Sequence, residues 1–212
     1  MNKVNIDENF WYIENFLSKY EIDIILKECL EKNDGAFSEG GWLFKSDSVQ
    51  REINNVAIKV LIKTESREIF DKKDGIFDRI KEATSSLGEY RENYTLQKFI
   101  PISPKNWYGQ QLALDFHHED SDERNFGMTA GIIIYLNDDF KGGELVFKNK
   151  NFKLKPKAGM FVCIPVTEEY SHAVSHVLEK ERVTLYGHVW ESTSLAPKIE
   201  PKDYRVSNDN RI

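Results

Sequence analysis

The spacing of apolar positions divides the chain near residue 92. Before that point the pattern is mostly helical. Ile22, Ile25, Leu26, Cys29 and Leu30 recur at i, i+3, i+4, i+7 and i+8, one apolar stripe of a helix. Ser18 and Glu21 precede the stripe at capping-box spacing. Gly35, Gly40 and Gly41 punctuate a loop carrying Trp42 and Phe44. A second helix is expected over residues 49–62. A third places Ile76, Ile80, Ala83 and Leu87 on one face and ends near Gly88.

From about Tyr94 the runs shorten and turn β-like. Strands are expected over 95–100, 129–136, 144–147, 152–154, 160–165, 172–177 and 183–190. Asn137-Asp138-Asp139, Gly142-Gly143 and Pro156-Lys157-Ala158-Gly159 mark turns between them. Residues 101–111 read as a loop with two prolines and the aromatic pair Trp107-Tyr108. Many short strands at this spacing indicate a sandwich or barrel. The expectation is a single domain in three parts: a mostly helical support over 1–92, a β core over 93–191, and a polar tail over 192–212.

Composition narrows the function classes. Of 212 residues, 40% are hydrophobic and 12% aromatic, enough for a sizeable, sheet-rich core. The net charge of -6 argues against nucleic acid or an anionic membrane as partner. Cys29 and Cys163 form no CxxC pair, which argues against a disulfide scaffold or thiolate zinc site. No continuous apolar leader opens the chain, and no apolar run approaches the ~20 residues that span a bilayer. A reducing, cytoplasmic setting is the expectation.

All five histidines lie at positions 117, 118, 172, 176 and 188. Two overlapping His-x-carboxylate pairs occur, His117-x-Glu119 and His118-x-Asp120. On a regular strand, i and i+2 share a face, so the two pairs aim oppositely. Either pair plus His172 makes two imidazoles and a carboxylate, the donor set of mononuclear non-haem Fe(II) oxygenases. His176, four residues beyond His172, is ~13 Å away along a straight strand and is not expected to join the site. His188 reads as a packing residue near Trp190.

The region from about Tyr94 to Trp190 resembles the Fe(II)/2-oxoglutarate-dependent dioxygenases, in their prolyl 4-hydroxylase-like branch. Five elements stand in the family's order. They are His118-Glu119-Asp120, Ile134-Tyr135-Leu136-Asn137, Gly142-Gly143-Glu144-Leu145-Val146-Phe147, Pro156-Lys157-Ala158-Gly159, and the set His172, Val174, Val177, Arg182 and Trp190. The resemblance implies a mainly β, α+β fold. Its core would be a double-stranded β-helix (a jelly roll, cupin-like), with the N-terminal helices packed on one sheet.

The resemblance also implies roles. His118, Asp120 and His172 would be catalytic and ligate Fe2+, and family pattern and the shorter, stiffer Asp favour this register over His117-x-Glu119. Arg182 would bind the distal carboxylate of 2-oxoglutarate, because a guanidinium fork pairs bidentately and keeps its charge. Tyr135 and Thr184 would add hydroxyls. Trp107, Tyr108 and Trp42 are candidates to face the substrate. The implied reaction consumes 2-oxoglutarate and O2, with ascorbate as a reductant, and hydroxylates a C–H bond while releasing succinate and CO2. A carboxylate ligand rather than Ala or Gly favours hydroxylation over halogenation. A prolyl residue of a peptide or protein is the first substrate class, a free amino acid or small metabolite the second. A non-catalytic jelly-roll binding module is the rival of another class, and Arg182 with Tyr135 weighs against it. Three positions depart from the family pattern. Lys180 stands where it has Gly, a strained choice if that turn needs positive φ. Phe99 replaces a Tyr, and Met128 an Arg.

Overall fold

The computed structural model describes residues 2–31, 55–59, 66–90, 95–99, 112–119 and 127–191. Among them the elements run β1 (Lys3–Asn5), β2 (Trp11–Ile13), α1 (Lys19–Glu31), β3 (Asn55–Lys59), α2 (Ser66–Asp71), α3 (Ile76–Thr84), β4 (Glu89–Tyr90) and β5 (Thr95–Phe99). The core follows with β6 (Leu112–His117), β7 (Met128–Tyr135), β8 (Lys141–Gly142), β9 (Leu145–Phe147), β10 (Lys153–Leu154), β11 (Phe161–Pro165), β12 (His172–Ser175), β13 (Val177–Glu179) and β14 (Arg182–Trp190). No helix among the described residues is long and apolar enough to cross a membrane.

The large sheet has the order β1-β2-β11-β7-β14-β5-β3, with β4 paired to the far end of β14. A smaller sheet runs β10-β9-β12-β6, and β13 pairs with β8. Period-two alternation sorts the side chains of the large sheet between two cores. Ile132, Ile134, Phe161, Cys163, Val183 and Leu185 face outward, where Ile22 and Ile25 of α1, Phe70 of α2, and Ile76 and Ile80 of α3 cover them. Ile133, Tyr135, Val162 and Ile164 face inward, against Leu145, Phe147, Leu154 and Val174 of the smaller strands. Each such fully buried side chain contributes roughly 1.5–3 kcal/mol. The helices thus brace one face of the large sheet and leave the other for the site.

Helix α1 starts where the capping box places it. Glu21 N–H donates to Ser18 Oγ at 3.3 Å, and Ser18 N–H donates to Glu21 Oε2 at 2.8 Å. The Arg79 guanidinium then pairs with Glu21, joining α3 to α1. The third helix matches its pattern, with Ile76, Ile80 and Ala83 buried. The expectation of a helix over 49–62 is corrected within its described part, since Asn55–Lys59 is a strand antiparallel to β5. Val56 and Ile58 alternate with period two, and the open edge of β5 supplies a hydrogen-bond ladder that a short helix could not match. The N-terminal part is also less helical than expected, because β1 and β2 extend the large sheet beside β11. Helix α2 lacks a stripe long enough to announce it. The 101–111 loop and the 192–212 tail lie outside the described residues.

The departure at Lys180 proves to be a real strain. Its φ is 57°, in the left-handed region, in the turn between β13 and β14. Its ammonium bonds Asp139 at 2.7 Å, but both side chains are exposed and the pair contributes little. Lys180→Gly is therefore expected to raise the thermal midpoint, whereas Lys180→Ala, which keeps a Cβ, is not. A lower midpoint for Lys180→Gly would contradict the strain argument.

Candidate metal and anion site

The inner face of β14 carries a ladder of polar groups. Thr184 pairs with Tyr135, Tyr186 with Ile133 and His188 with Gly131 across the β14–β7 ladder, so these β14 positions share the inward face of Ile133 and Tyr135. Arg182, two residues before Thr184, continues the row. Three metal-competent side chains meet against this face: His117, Glu119 and His172, with one ligand atom of each lying within 4.8 Å of the others.

The first histidine comes from a distortion of β6. His172 pairs with His117 and Val174 with Leu114, so a two-residue step on β12 faces a three-residue step on β6. Regular alternation from Leu114 would send Phe116 and His118 inward. The extra residue resets the parity, as a β-bulge does. Phe116 is consequently 39% exposed. The His117 ring instead stands beside His172, centroids 4.5 Å apart. This corrects the motif-based preference between the two registers: the pair brought to His172 is His117-x-Glu119. His118 is half-buried one residue beyond β6 and is not in the cluster, and Asp120 lies outside the described residues.

Both histidines are oriented from behind. His117 Nδ1–H donates to the Asp115 carbonyl at 2.9 Å, and His172 Nδ1–H donates to the Tyr170 carbonyl at 3.1 Å. A carbonyl only accepts, so each ring carries its proton on Nδ1 and offers Nε2 as a ligand. Tyr170 is itself anchored, its hydroxyl donating to Asp7 Oδ1 at 3.0 Å and Lys150 lying 4.4 Å over its ring. The N-terminal turn therefore reaches the site through Tyr170. Burial, reinforced by the charge of His117, lowers the His172 pKa to about 4. His172 is thus neutral near pH 7, as a metal ligand must be.

Glu119 lies between two histidines. Its Oε1 is 3.7 Å from His117 Nε2, and its Oε2 is 3.8 Å from His188 Nε2. Burial alone would raise its pKa, but contacts with His188, the Tyr186 hydroxyl and the charge of His117 outweigh that and hold it at about 2. Conversely, burial and the neighbouring Glu119 push the Tyr186 phenol well above its usual value.

Beyond the cluster sits Arg182, with no exposed surface. Its guanidinium carbon lies 4.9 Å from the ring centroids of both Phe99 and Tyr135. Nη2 donates to the Tyr135 hydroxyl at 3.1 Å, while Nε, Nη1 and the buried Thr184 hydroxyl have no partner among the described residues. The adjoining Gly142-Gly143 turn makes room. A Cβ on Gly143 would stand 3.0 Å from Arg182 Cδ, and one on Gly142 would stand 2.0 Å from the His176 carbonyl oxygen. Both glycines also adopt positive φ. A buried cation with two idle N–H groups is costly unless an anion comes to it.

Of the residues singled out in the sequence, the fold unites His172, Arg182, Tyr135 and Thr184, whereas Trp107, Tyr108 and Trp42 lie outside the described residues. His176 is buried, its carbonyl accepting the Gly143 N–H at 3.1 Å. His188, read from sequence as packing, and Tyr186, not read at all, both face the carboxylate. Their parity with Arg182 was the signal that could have found them.

Residues 106–190 match the 2OG-Fe(II) oxygenase superfamily. No curated protein matches the sequence. Among solved structures, the fold is similar to a viral collagen prolyl hydroxylase from Paramecium Bursaria Chlorella virus-1 in its 2OG complex, with TM-score 0.60 and 19% identity over 87% of this chain and 96% of that one. It is also similar to a Pseudomonas putida prolyl-4-hydroxylase, with TM-score 0.56 and 16% identity over 86% of this chain and 92% of that one. A third likeness is to a prolyl hydroxylase from Trichoplax adhaerens bound to a peptide fragment of a hypoxia inducible factor, with TM-score 0.57 and 17% identity over 86% and 84% of the two chains. At these identities the likeness establishes the fold, a double-stranded β-helix.

The depressed pKa of His172 carries a sign for stability. Its folded value of about 4 lies below the unfolded value of 6.5, so the unfolded chain binds the extra proton between those pH values. Stability from this group is lost as pH falls from 6.5 to 4, by at most about 3 kcal/mol. In metal-free protein, His172→Asn should flatten the pH dependence of unfolding free energy across that window. An unchanged slope would contradict the assigned environment.

Proposed function

We propose, from the match of residues 106–190 to the 2OG-Fe(II) oxygenase superfamily, that the chain hydroxylates an unactivated C–H bond of a prolyl residue in a peptide or protein, with His117, Glu119 and His172 holding Fe2+. The observation that carries the co-substrate is the buried Arg182 with its idle Nε and Nη1 beside the unpartnered Thr184 hydroxyl. That arrangement suits one carboxylate, received bidentately by the guanidinium and flanked by the Thr184 and Tyr135 hydroxyls. The donor set suits the metal: two imidazoles whose Nδ1 atoms are engaged by carbonyls, leaving Nε2 as the ligand atom, and one ionised carboxylate. The choice of a prolyl substrate is supported by the likeness of the fold to prolyl hydroxylases, and a free amino acid or small metabolite stays second.

When bound, iron would activate O2 as the oxidant, with 2-oxoglutarate giving up two electrons to leave succinate and CO2 as co-products. The chain's own residues do the rest. Arg182, Tyr135 and Thr184 fix the distal end of the co-substrate. The carbonyls of Asp115 and Tyr170 lock the two imidazoles with Nε2 toward the cluster. Phe147 and the apolar residues between the sheets exclude water, which strengthens each electrostatic contact. Because these groups sit on or beside paired strands, little reorganisation is needed when ligands arrive.

Succinate formation by the full chain with Fe(II), 2-oxoglutarate and prolyl peptides tests this reading. Arg182→Ala should raise the 2-oxoglutarate concentration required by at least about 100-fold, the cost of removing one side of a buried charge pair. Its Fe(II) affinity should stay within a few-fold of wild type. A normal 2-oxoglutarate requirement would remove Arg182 from the co-substrate site. Turnover of free amino acids but of no prolyl peptide would select the second substrate class.

A further inference from the structure

Resting on the ligand reading above, we infer that Tyr186 and His188 form a positioning pair that holds one oxygen of Glu119 against the large sheet and leaves the other for the metal. Glu119 follows β6 of the smaller sheet, yet its side chain reaches the opposite sheet. A Cβ built on Gly131 of β7 would lie 3.8 Å from the Tyr186 hydroxyl and 3.9 Å from Glu119 Cγ, so the two groups converge over one point of that strand. The Tyr186 hydroxyl donates to the Glu119 carboxylate. Having given its proton there, its oxygen accepts from His188 Nε2 at 2.8 Å. His188 Nε2 also stands 3.8 Å from Glu119 Oε2, while Oε1 turns to His117. The imidazole ring of His188 is itself set edge-on between Tyr186 and Trp190, with centroids at 4.6 and 6.2 Å.

The consequence concerns how the carboxylate binds. Glu has one more rotatable bond than Asp and could swing to offer both oxygens, taking one coordination position meant for co-substrate or O2. With the pair on the Oε2 side, where His188 Nε2 lies, the inference leaves Glu119 to offer Oε1 alone. The pair also fixes the longer side chain before metal arrives, lowering the entropy lost on binding.

Anaerobic titration of the full-length, metal-free chain with Co(II), followed by visible absorption, tests the inference. Tyr186→Phe removes one oxygen and keeps the ring. It should weaken Co(II) binding by about 10-fold or more, the usual effect of losing a hydrogen bond to a ligand side chain. His188→Ala should weaken it in the same direction, and His188→Gln, which retains an N–H donor, should recover most of the loss. The Fe(II)–2-oxoglutarate charge-transfer band should weaken or shift in Tyr186→Phe. Wild-type affinity in both Tyr186→Phe and His188→Ala, with binding lost in His172→Ala, would overturn the positioning role alone. Wild-type affinity in His172→Ala would instead overturn the ligand assignment, and this inference with it. Equal behaviour of His188→Gln and His188→Ala would remove His188 from the pair. Should His188→Ala not fold, Tyr186→Phe decides the outcome.

Discussion

A guanidinium sealed from water is the constraint around which this protein is arranged. Arg182 has no exposed surface, lies against two aromatic rings, and finds one protein acceptor for its N–H groups among the described residues. Desolvating such a charge costs several kcal/mol unless a counter-charge is supplied. The fold tolerates this because β14 is paired along its whole length, with β5 over 182–186, β7 over 184–190 and β4 at 189–190, and its outward residues Val183, Leu185 and Val189 are locked into the helix-covered core. The apolar face of the strand holds the polar face in place.

From that point the inner face of β14 reads as a graded surface. Arg182 and Thr184 stand at one end with buried, unpartnered polar atoms, and Tyr186 and His188 stand at the other beside Glu119. The smaller sheet contributes the imidazoles, the large sheet contributes the guanidinium and hydroxyls, and Glu119 spans the two. Placing the groups at every second residue of a long, fully paired strand limits their relative motion in a way that loops do not.

Much of the scaffold was legible in the chain. The Ser18–Glu21 box and the stripe beginning at Ile22 specify a helix start by local chemistry alone, and the reciprocal hydrogen bonds are there. The third helix and most core strands from β7 onward follow from periodicity and turn residues, whereas β8 falls on the expected Gly142-Gly143 turn and the run expected over 172–177 divides into β12 and β13. The strands β1, β2 and β3 did not, because a strand of three to five residues draws its stability from the neighbour it pairs with rather than from its own sequence. Lys180 lies between these cases: the resemblance places Gly at this position, so strain was expected if the turn needs positive φ, and its φ is 57°.

The site divides along the same line. His172 was nominated by its chemistry, and Arg182, Tyr135 and Thr184 by the resemblance to a known family, through motifs in the family's order. From the chain alone His118-x-Asp120 was preferred over His117-x-Glu119, but the choice turns on strand parity, and one inserted residue inverts parity. The unequal steps of β6 and β12 between Leu114 and His117 are a property of two paired strands, decided only when they meet. The same holds for Tyr186 and His188, which gain their meaning from a carboxylate delivered from the opposite sheet. Local spacing determined which chemistries the chain possesses; the register between sheets decided which of them touch.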